Sequence, residues 1–253
     1  MTPSKLIALG ITHDWEFAAG VVLIGLKRVA NINDYDIMVF GPDEKDFEGL
    51  RKIKSDIIVK PFDIDLQQES RFHRVSKMTF SRLCCFDLLN TYETVCWLDT
   101  DILILKNISD IFTCASNGLA MYRHDNISMS VSFAKDVPGF NMNATCFNAG
   151  IFVINSLLPH HTKLTSWCLN AIKTYEEYIN SDQAIFNMML QQFNIIVDPL
   201  PEIYNCHPDK RNTDTKIVHA WGVYKFWNAL QDPIWNDYYQ EWLSIGGTPK
   251  VNS

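Results

Sequence analysis

The sequence lacks several features that would each point to a particular class of protein. No apolar run reaches the roughly 20 residues that span a bilayer, and basic residues are in deficit, with 22 Lys and Arg against 29 Asp and Glu and a net charge of −7. No Cys-x-x-Cys pair occurs, and neither Gly-x-Gly-x-x-Gly nor Gly-x-x-x-x-Gly-Lys is present. These absences argue against a transmembrane helix, a nucleic-acid-binding surface, a structural zinc site and the two common glycine-rich nucleotide loops.

The composition instead suits a large α/β chain. Of its 253 residues, 47% are hydrophobic and 20% are charged, which is enough for one large domain or two small ones. Several of the seven cysteines, including Cys84, Cys85 and Cys96, stand within apolar runs. Reduced, buried thiols are typical of cytosolic proteins, and the N-terminus leads into a strand-like run without a signal peptide. We therefore expect a cytoplasmic protein.

Strand-like and helix-like segments alternate from the N-terminus. The expected elements are strands 5–12, 35–40 and 56–62 with helices 16–29 and 43–52 between them. This β-α-β-α-β order predicts a mostly parallel, Rossmann-like sheet with right-handed crossovers. Further along we expect helices 78–89, 106–112, 160–175, 181–193 and 236–245, and strands 95–105, 118–122, 147–154, 195–197 and 216–219.

Two stretches read as loops whose role stays open. Residues 67–76 are polar and contain Arg71, His73 and Arg74, which either face a substrate or are simply solvated. Residues 128–143 are irregular and contain Pro138 and Gly139, and they form either a mobile flap or a surface loop.

An acidic pair interrupts the apolar segment 95–105. Asp99 and Asp101 are two residues apart, so on a continuous strand both would point to the same face. Two like charges beside an apolar run repel each other and resist desolvation, unless a cation lies between them. The pair therefore indicates a divalent metal site, although aspartate is also common in the turn that follows a strand.

Four short motifs follow one another along the chain. They are Leu98-Asp-Thr-Asp101, Phe147-Asn-Ala-Gly150, Ser181-Asp-Gln-Ala-Ile-Phe-Asn187 and His219-Ala-Trp-Gly-Val-Tyr-Lys-Phe-Trp227. In this order they resemble glycosyltransferase family 8, the glycogenin-like and galactinol-synthase-like enzymes, over residues 6–243. The resemblance implies a single GT-A type domain over residues 1–253, with a nucleotide-binding half (1–105) and a half for the donor sugar and acceptor (106–253).

The resemblance also assigns roles to individual residues. It implies metal ligands at Asp99, Asp101 and His219, a diphosphate-binding Lys225, and Arg82 in place of a lysine that faces the phosphates. It implies three catalytic residues, which are Asn148, Asp182 and Gln183. The further cofactor-binding positions that it implies are Leu9, Ile11, Thr12, Phe17, Thr100, Ala149 and Gly222.

The implied reaction is retaining transfer of a hexose from a UDP-sugar. Two carboxylates and an imidazole suit Mn²⁺ better than Mg²⁺, which prefers oxygen ligands and is expected only as a substitute. A cation and Lys225 would both stabilise the charge of a departing diphosphate. Retention without a glycosidase-like carboxylate pair is usually explained by attack from the leaving-group face, with the donor phosphate taking the acceptor's proton.

Departures from the family pattern bear on the acceptor. The chain is short between Tyr204 and His219, where glycogenins carry the tyrosine that becomes glucosylated, and Tyr204 corresponds to a different tyrosine. Phe226 replaces a common proline, and Ile179 replaces a residue that is often acidic. We expect a separate acceptor, which is an unidentified glycan, protein or small molecule. The alternatives are a self-glucosylating primer and a non-catalytic UDP-sugar-binding protein. Family members often form homodimers.

Overall fold

A seven-stranded sheet forms the centre of the computed structural model, which describes residues 4–44, 47–66 and 76–251. The strands over these residues are β1 (Lys5–Gly10), β2 (Asp36–Gly41), β3 (Ile58–Pro61), β4 (Thr94–Leu98), β5 (Ile102–Ile104), β6 (Leu119–Ser128), β7 (Thr145–Asn155), β8 (Asp198–Pro199) and β9 (Ile217–His219). The α-helices over the same residues are α1 (Glu16–Val29), α2 (Glu48–Arg51), α3 (Cys85–Leu88), α4 (His161–Tyr175), α5 (Asp182–Gln192) and α6 (Pro233–Ser244).

The strand order confirms the expected α/β class. The central sheet runs β3-β2-β1-β4-β7-β6-β8. The pairs β3–β2, β2–β1, β1–β4 and β6–β8 are parallel, whereas β7 runs antiparallel to both of its neighbours. The sheet is therefore mostly parallel, and the carboxyl ends of β1 and β4 meet at one edge, where such sheets bind ligands.

Both faces of the sheet are covered, which explains why its central strands are apolar on each side. Leu6 and Ala8 of β1 join one hydrophobic cluster, and Ile7 and Leu9 join the other. On the second face α1 and α6 pack together so closely that a Cβ on Gly20 would lie 2.5 Å from the Trp242 ring. Among the described residues, no helix combines the length and apolar character needed to cross a membrane.

The acidic segment departs from its expected form. Residues 95–105 are not one strand, because β4 ends at Leu98 and β5 begins at Ile102. After the break the chain leaves the central sheet, and β5 pairs with β9 in a separate two-stranded sheet. Asp99 and Asp101 thus lie on the connecting segment, and strand alternation is the wrong reason for expecting them to face the same way.

Smaller differences concern element ends. The helix expected at 43–52 is reduced to α2, which Phe47 precedes in a left-handed conformation (φ 68°). The helix expected at 78–89 begins as a 3-10 segment, Lys77–Cys84, and the helix expected at 106–112 is the 3-10 segment Ser109–Thr113. The strand expected at 195–197 instead forms at β8, where Asp198 accepts hydrogen bonds from Ser116 and Asn117. Arg71, His73 and Arg74 lie outside the described residues.

Candidate active site

A cleft of about 360 Å³ opens at the carboxyl ends of β1 and β4. It draws its walls from segments that are far apart in the chain, as the four motifs predict. The expected site residues that line it are Ile11, Thr12, Arg82, Asp99, Thr100, Asp101, Asn148, Asp182, Gln183, His219, Gly222 and Lys225.

Three expected residues have side chains that do not line the cleft. Leu9 is fully buried in the hydrophobic core, and Phe17 is buried against Trp227 and Tyr239. Ala149 takes part through its backbone, because its carbonyl accepts from Arg82 and its N–H donates to Gln183. These positions support the cleft rather than form its surface.

The side chains of Asp99, Asp101 and His219 converge in the cleft. Each offers one donor atom, and these atoms all lie within 4.8 Å of one another. His219 Nε2 is 3.2 Å from Asp101 Oδ1 and 3.9 Å from Asp99 Oδ2. The β5–β9 ladder creates this meeting by pairing Ile102 with His219. Two carboxylates and an imidazole offer oxygen and nitrogen lone pairs of the kind that divalent metals accept, so these residues fit a divalent metal ion.

Gly150 makes room for the cluster. A Cβ at this position would lie 2.2 Å from His219 Cε1 and 2.8 Å from Asp99 Oδ2, closer than nonbonded atoms approach. The Gly150 carbonyl also accepts from the Asp99 N–H at 2.8 Å. The glycine that ends the motif Phe147-Asn-Ala-Gly150 is therefore required by a close approach, not by a turn.

The two carboxylates have unlike electrostatic surroundings. Burial raises the pKa of Asp99, and the neighbouring Asp101 adds to this rise against the opposing charge of Arg82. Burial acts in the same direction on Asp101, but His219 and Lys225 outweigh it and hold the pKa of Asp101 below its usual range. Asp101 is thus the more firmly ionised member of the pair.

Arg82 is buried at the base of the cleft and joins two acids. Its Nη2 donates to Asp99 Oδ1 at 2.8 Å, and its Nη1 and Nε donate to the carbonyls of Ala149 and Thr79. Its Nε also lies 2.9 Å from Asp182 Oδ2. Burial opposes ionisation, yet Asp182 and Asp99 raise the pKa of Arg82 above its ordinary value. The guanidinium group therefore donates to acceptors within the protein. The resemblance had instead implied that Arg82 replaces a lysine that faces the phosphates.

Asp182 begins α5 and presents an oxygen without a hydrogen-bond donor. Its Oδ2 is buried and accepts no hydrogen bond, because the nearby Arg82 N–H is aimed at Thr79 instead. Asp182 also lines the cleft, where a carboxylate can accept from a hydroxyl group of a bound ligand. The next residue, Gln183, is held by the protein, since its Oε1 accepts from Ala149 and its Nε2 donates to Ser132.

Lys225 closes the other side of the cleft. Its ammonium group pairs with Asp101 Oδ2 and donates to the Ala220 carbonyl at 2.7 Å. The lysine belongs to a loop in which Gly222 has a φ of +99°, a left-handed conformation that favours glycine. Val223 and Tyr224, between these two residues, are exposed.

Aromatic residues complete the wall, and the sequence interpretation assigned them no role. Trp15 is partly exposed and lies edge-on to Trp227, with ring centroids 5.0 Å apart. Trp221 lies 5.3 Å from the His219 ring and 4.9 Å from the His207 ring. Trp221 and Trp227 stand within the motif that begins at His219, so their place in that motif was the available signal.

Comparison with known proteins identifies what the chain resembles. The model of Glycosyl transferase family 8 matches residues 6–231. Human glycogenin-1 is 23% identical over 92% of this chain and 65% of its own length, and human glycogenin-2 is 26% identical over 62% and 29%. The chain thus spans less than two thirds of the length of these curated relatives.

Solved structures agree on the fold. Galactosyltransferase LgtC, solved in complex with donor and acceptor sugar analogs, matches with a TM-score of 0.71 at 14% identity, over 97% of this chain and 98% of LgtC. The apo WbbM bifunctional glycosyltransferase matches with a TM-score of 0.69 at 19% identity, over 98% of this chain and 50% of WbbM.

Proposed function

The chain belongs to glycosyl transferase family 8, and from this premise we propose that it is a Mn²⁺-dependent, retaining hexosyltransferase. The donor is a UDP-sugar, with UDP-glucose or UDP-galactose as the first candidates, and the acceptor is a hydroxyl group on a separate molecule. The proposal treats residues 1–253 as one catalytic domain that acts in the cytoplasm. Homodimer formation stays a prediction, which analytical ultracentrifugation checks.

One observation carries the proposal. Asp99, Asp101 and His219 meet within 4.8 Å in a cleft that Lys225 also lines. Two acids and an imidazole would hold the cation, and Lys225 supplies a positive charge beside them. A bound divalent cation would neutralise charge that gathers on the diphosphate as the glycosidic bond breaks.

The remaining groups suit the donor sugar. Asp182 lines the cleft, and its carboxylate can accept from a sugar hydroxyl and so orient the ring. Gln183 is pinned by Ala149 and Ser132, which gives the cleft a rigid amide beside that sugar. Rigid polar groups lower the reorganisation needed when charge develops in the transition state.

A separate acceptor is favoured by the position of Tyr204. This tyrosine is only 3% exposed and does not line the cleft. It packs under Lys216, whose ammonium group lies 5.1 Å from its ring centroid. Self-glucosylation at Tyr204 would therefore require local unfolding. Intact-mass measurement after incubation with UDP-glucose and Mn²⁺ tests the alternative, because self-glucosylation predicts mass gains in hexose steps.

The main experiment measures UDP release from UDP-glucose, UDP-galactose and UDP-N-acetylglucosamine, with Mn²⁺ and with a chelator. We expect turnover of at least one donor with Mn²⁺ and its loss with chelator. Asp125→Asn, which changes an exposed acid outside the cleft, is the control and is expected to behave like the wild type. Turnover that the chelator leaves unchanged would remove the metal role. Tight UDP binding without any turnover would instead favour a non-catalytic binding protein.

A further inference from the structure

A chain of buried amides lies behind His219. Asn205 is fully buried and its Oδ1 lies 2.8 Å from His219 Nδ1. Its Nδ2 donates to Asn148 Oδ1 at 3.0 Å, and Asn148 Nδ2 lies 3.3 Å from His124 Nε2. The same Asn148 Oδ1 accepts from the Gly150 N–H at 3.0 Å. The resulting relay runs from a backbone amide through two side-chain amides to two histidines.

The Gly150 N–H determines which way the amides point. A backbone N–H can only donate, so the Asn148 atom that faces it must be the oxygen. Asn205 also faces that oxygen, so it must present its NH₂ group there. The other end of the Asn205 amide, which faces His219, is then necessarily the carbonyl oxygen. The orientation of both amides thus follows from one group whose role cannot be reversed.

The orientation of Asn205 selects a histidine tautomer. A carbonyl oxygen facing His219 Nδ1 requires a proton on that nitrogen. In the neutral imidazole, Nε2 then carries the lone pair, and Nε2 is the atom that faces Asp99 and Asp101. With the opposite tautomer, the Nε2–H would donate to Asp101 at 3.2 Å and direct a proton into the space between the three side chains.

We propose that Asn205 is a positioning residue that holds His219 in the Nδ1–H tautomer and so makes its Nε2 a metal ligand. Partners of this kind commonly orient metal-binding histidines, and their loss typically costs about 10- to 100-fold in metal affinity. At the far end of the relay, Asn148 donates to Nε2 of His124, which therefore also carries its proton on Nδ1. The metal part of this inference rests on the proposed function, whereas the tautomers do not.

The first test measures the Mn²⁺ dissociation constant by EPR of the free ion. Asn205→Leu removes the acceptor and is expected to weaken binding by at least about tenfold. Asn205→Asp keeps an oxygen facing Nδ1 but sets its other oxygen against Asn148 Oδ1, so it is expected to bind Mn²⁺ less tightly than the wild type and more tightly than Asn205→Leu. Asn155→Leu is the control, because Asn155 is a part-buried asparagine that bonds the Ala115 carbonyl and does not line the cleft.

The results separate positioning from folding. A purely structural role predicts that Asn205→Asp, which buries a charge, binds Mn²⁺ no better than Asn205→Leu, and that result would overturn the proposal. Wild-type affinity in Asn205→Leu would overturn it as well. Thermal unfolding of each variant identifies any general loss of structure, which Asn155→Leu should share without losing affinity for the ion.

A second test does not depend on the metal. Long-range ¹H–¹⁵N spectra of the metal-free protein, at a pH where both imidazoles are neutral, distinguish the two tautomers. We expect a proton on Nδ1 of both His219 and His124, and a mixture at His219 in Asn205→Leu. An Nε2–H tautomer at His219 in the wild type would overturn the relay. The Nδ1–H tautomer together with failure to bind Mn²⁺ would count against the metal proposal alone.

Discussion

Two sets of ion pairs border the same cleft, and they are built differently. At its base, Arg82 joins Asp99 and Asp182, and the side chains of Arg82 and Asp182 are each only 6% exposed. At its rim, Lys225 pairs with Asp101 from a loop, and the lysine side chain is 23% exposed. At the base, the planar guanidinium group of Arg82 donates to three protein acceptors, whereas at the rim Lys225 offers a flexible ammonium group.

The difference separates architecture from chemistry. Removing one partner of a buried ion pair leaves an uncompensated charge in the interior. The Arg82 ion pairs at the base of the cleft should therefore be essential to stability. A partly exposed pair is screened by water and contributes little to stability. If the proposed donor binds, Lys225 can therefore exchange Asp101 for its diphosphate at a smaller cost than Arg82 can exchange its partners.

The largest expected effect comes from removing Arg82 at the base of the cleft. Arg82→Met should lower the free energy of unfolding by about 3–5 kcal/mol, because Asp182 would stay buried, and Asp99 partly buried, without this counter-charge. Arg82→Lys should lose less, since it keeps the charge but not the fork. Chemical denaturation measures both variants. If the free energy of unfolding of Arg82→Met fell by less than about 1 kcal/mol, the Arg82 ion pairs would behave like solvent-exposed ones.

The next largest effect concerns activity rather than stability. Asp101→Asn should lower kcat/KM by about 10²-fold or more, because it removes a charged group that would hold the cation. The folded structure should tolerate this change better than it tolerates Arg82→Met, since Lys225 is partly exposed and can be solvated. Steady-state UDP release measures the activity. Activity near that of the wild type would refute the assignment of Asp101.

Lys225→Met sharpens the contrast between base and rim. We expect kcat/KM to fall by about tenfold or more through loss of a charge beside the proposed diphosphate, while the free energy of unfolding falls by less than it does in Arg82→Met. Lys135→Met, which removes an exposed lysine paired with Glu177 outside the cleft, is the matched control. A stability loss as large as that of Arg82→Met would erase the distinction between the two pairs.

The smallest expected effect is a difference in titration. In the metal-free protein, Asp99 should take up its proton above the ordinary aspartate pKa of about 3.9, and Asp101 below it. The stability that Asp101 contributes is present above the ordinary pKa and is lost as the pH falls through its lowered folded pKa. Asp99 acts in the opposite sense, because its contribution is present below the ordinary pKa and is lost as the pH rises through its raised folded pKa.

Carboxyl ¹³C chemical shifts followed against pH would resolve these two titrations. Asp99→Asn and Asp101→Asn each remove one titration and so assign the signals. The reverse order of protonation would mean that the charge of Arg82 outweighs the effect of burial at Asp99. The Arg82–Asp99 ion pair would then be more hydrated than its contacts indicate.

Local patterns in the sequence were sufficient for much of this fold. Apolar strands separated by helices predicted the parallel half of the sheet, because burial on both faces demands apolar side chains at successive positions. The four motifs, taken in order, predicted most of the residues that line the cleft. The short segment between Tyr204 and His219 had already indicated that Tyr204 is not the site of self-glucosylation.

Which aromatic ring reaches the cleft was decided only by the tertiary structure. Phe17 was expected there from its position, yet the 3-10 turn His13–Trp15 places Trp15 at the cleft and leaves Phe17 in the core. The 3-10 turn before α1 determines which of the two rings faces the cleft, and the apolar character of both residues gives no sign of it.

The sequence by itself determined the α/β class and the chemical identity of the acids, the imidazole and the lysine, because spacing and residue type are local properties. Tertiary structure alone decided that β4 breaks before Asp99, that Arg82 bonds inward and that Asn205 stands behind His219. Each of these depends on partners more than a dozen residues away, such as β9, Asp99 or the Gly150 N–H. Contacts over such distances arise from packing and hydrogen bonding of the whole chain, which no local pattern records.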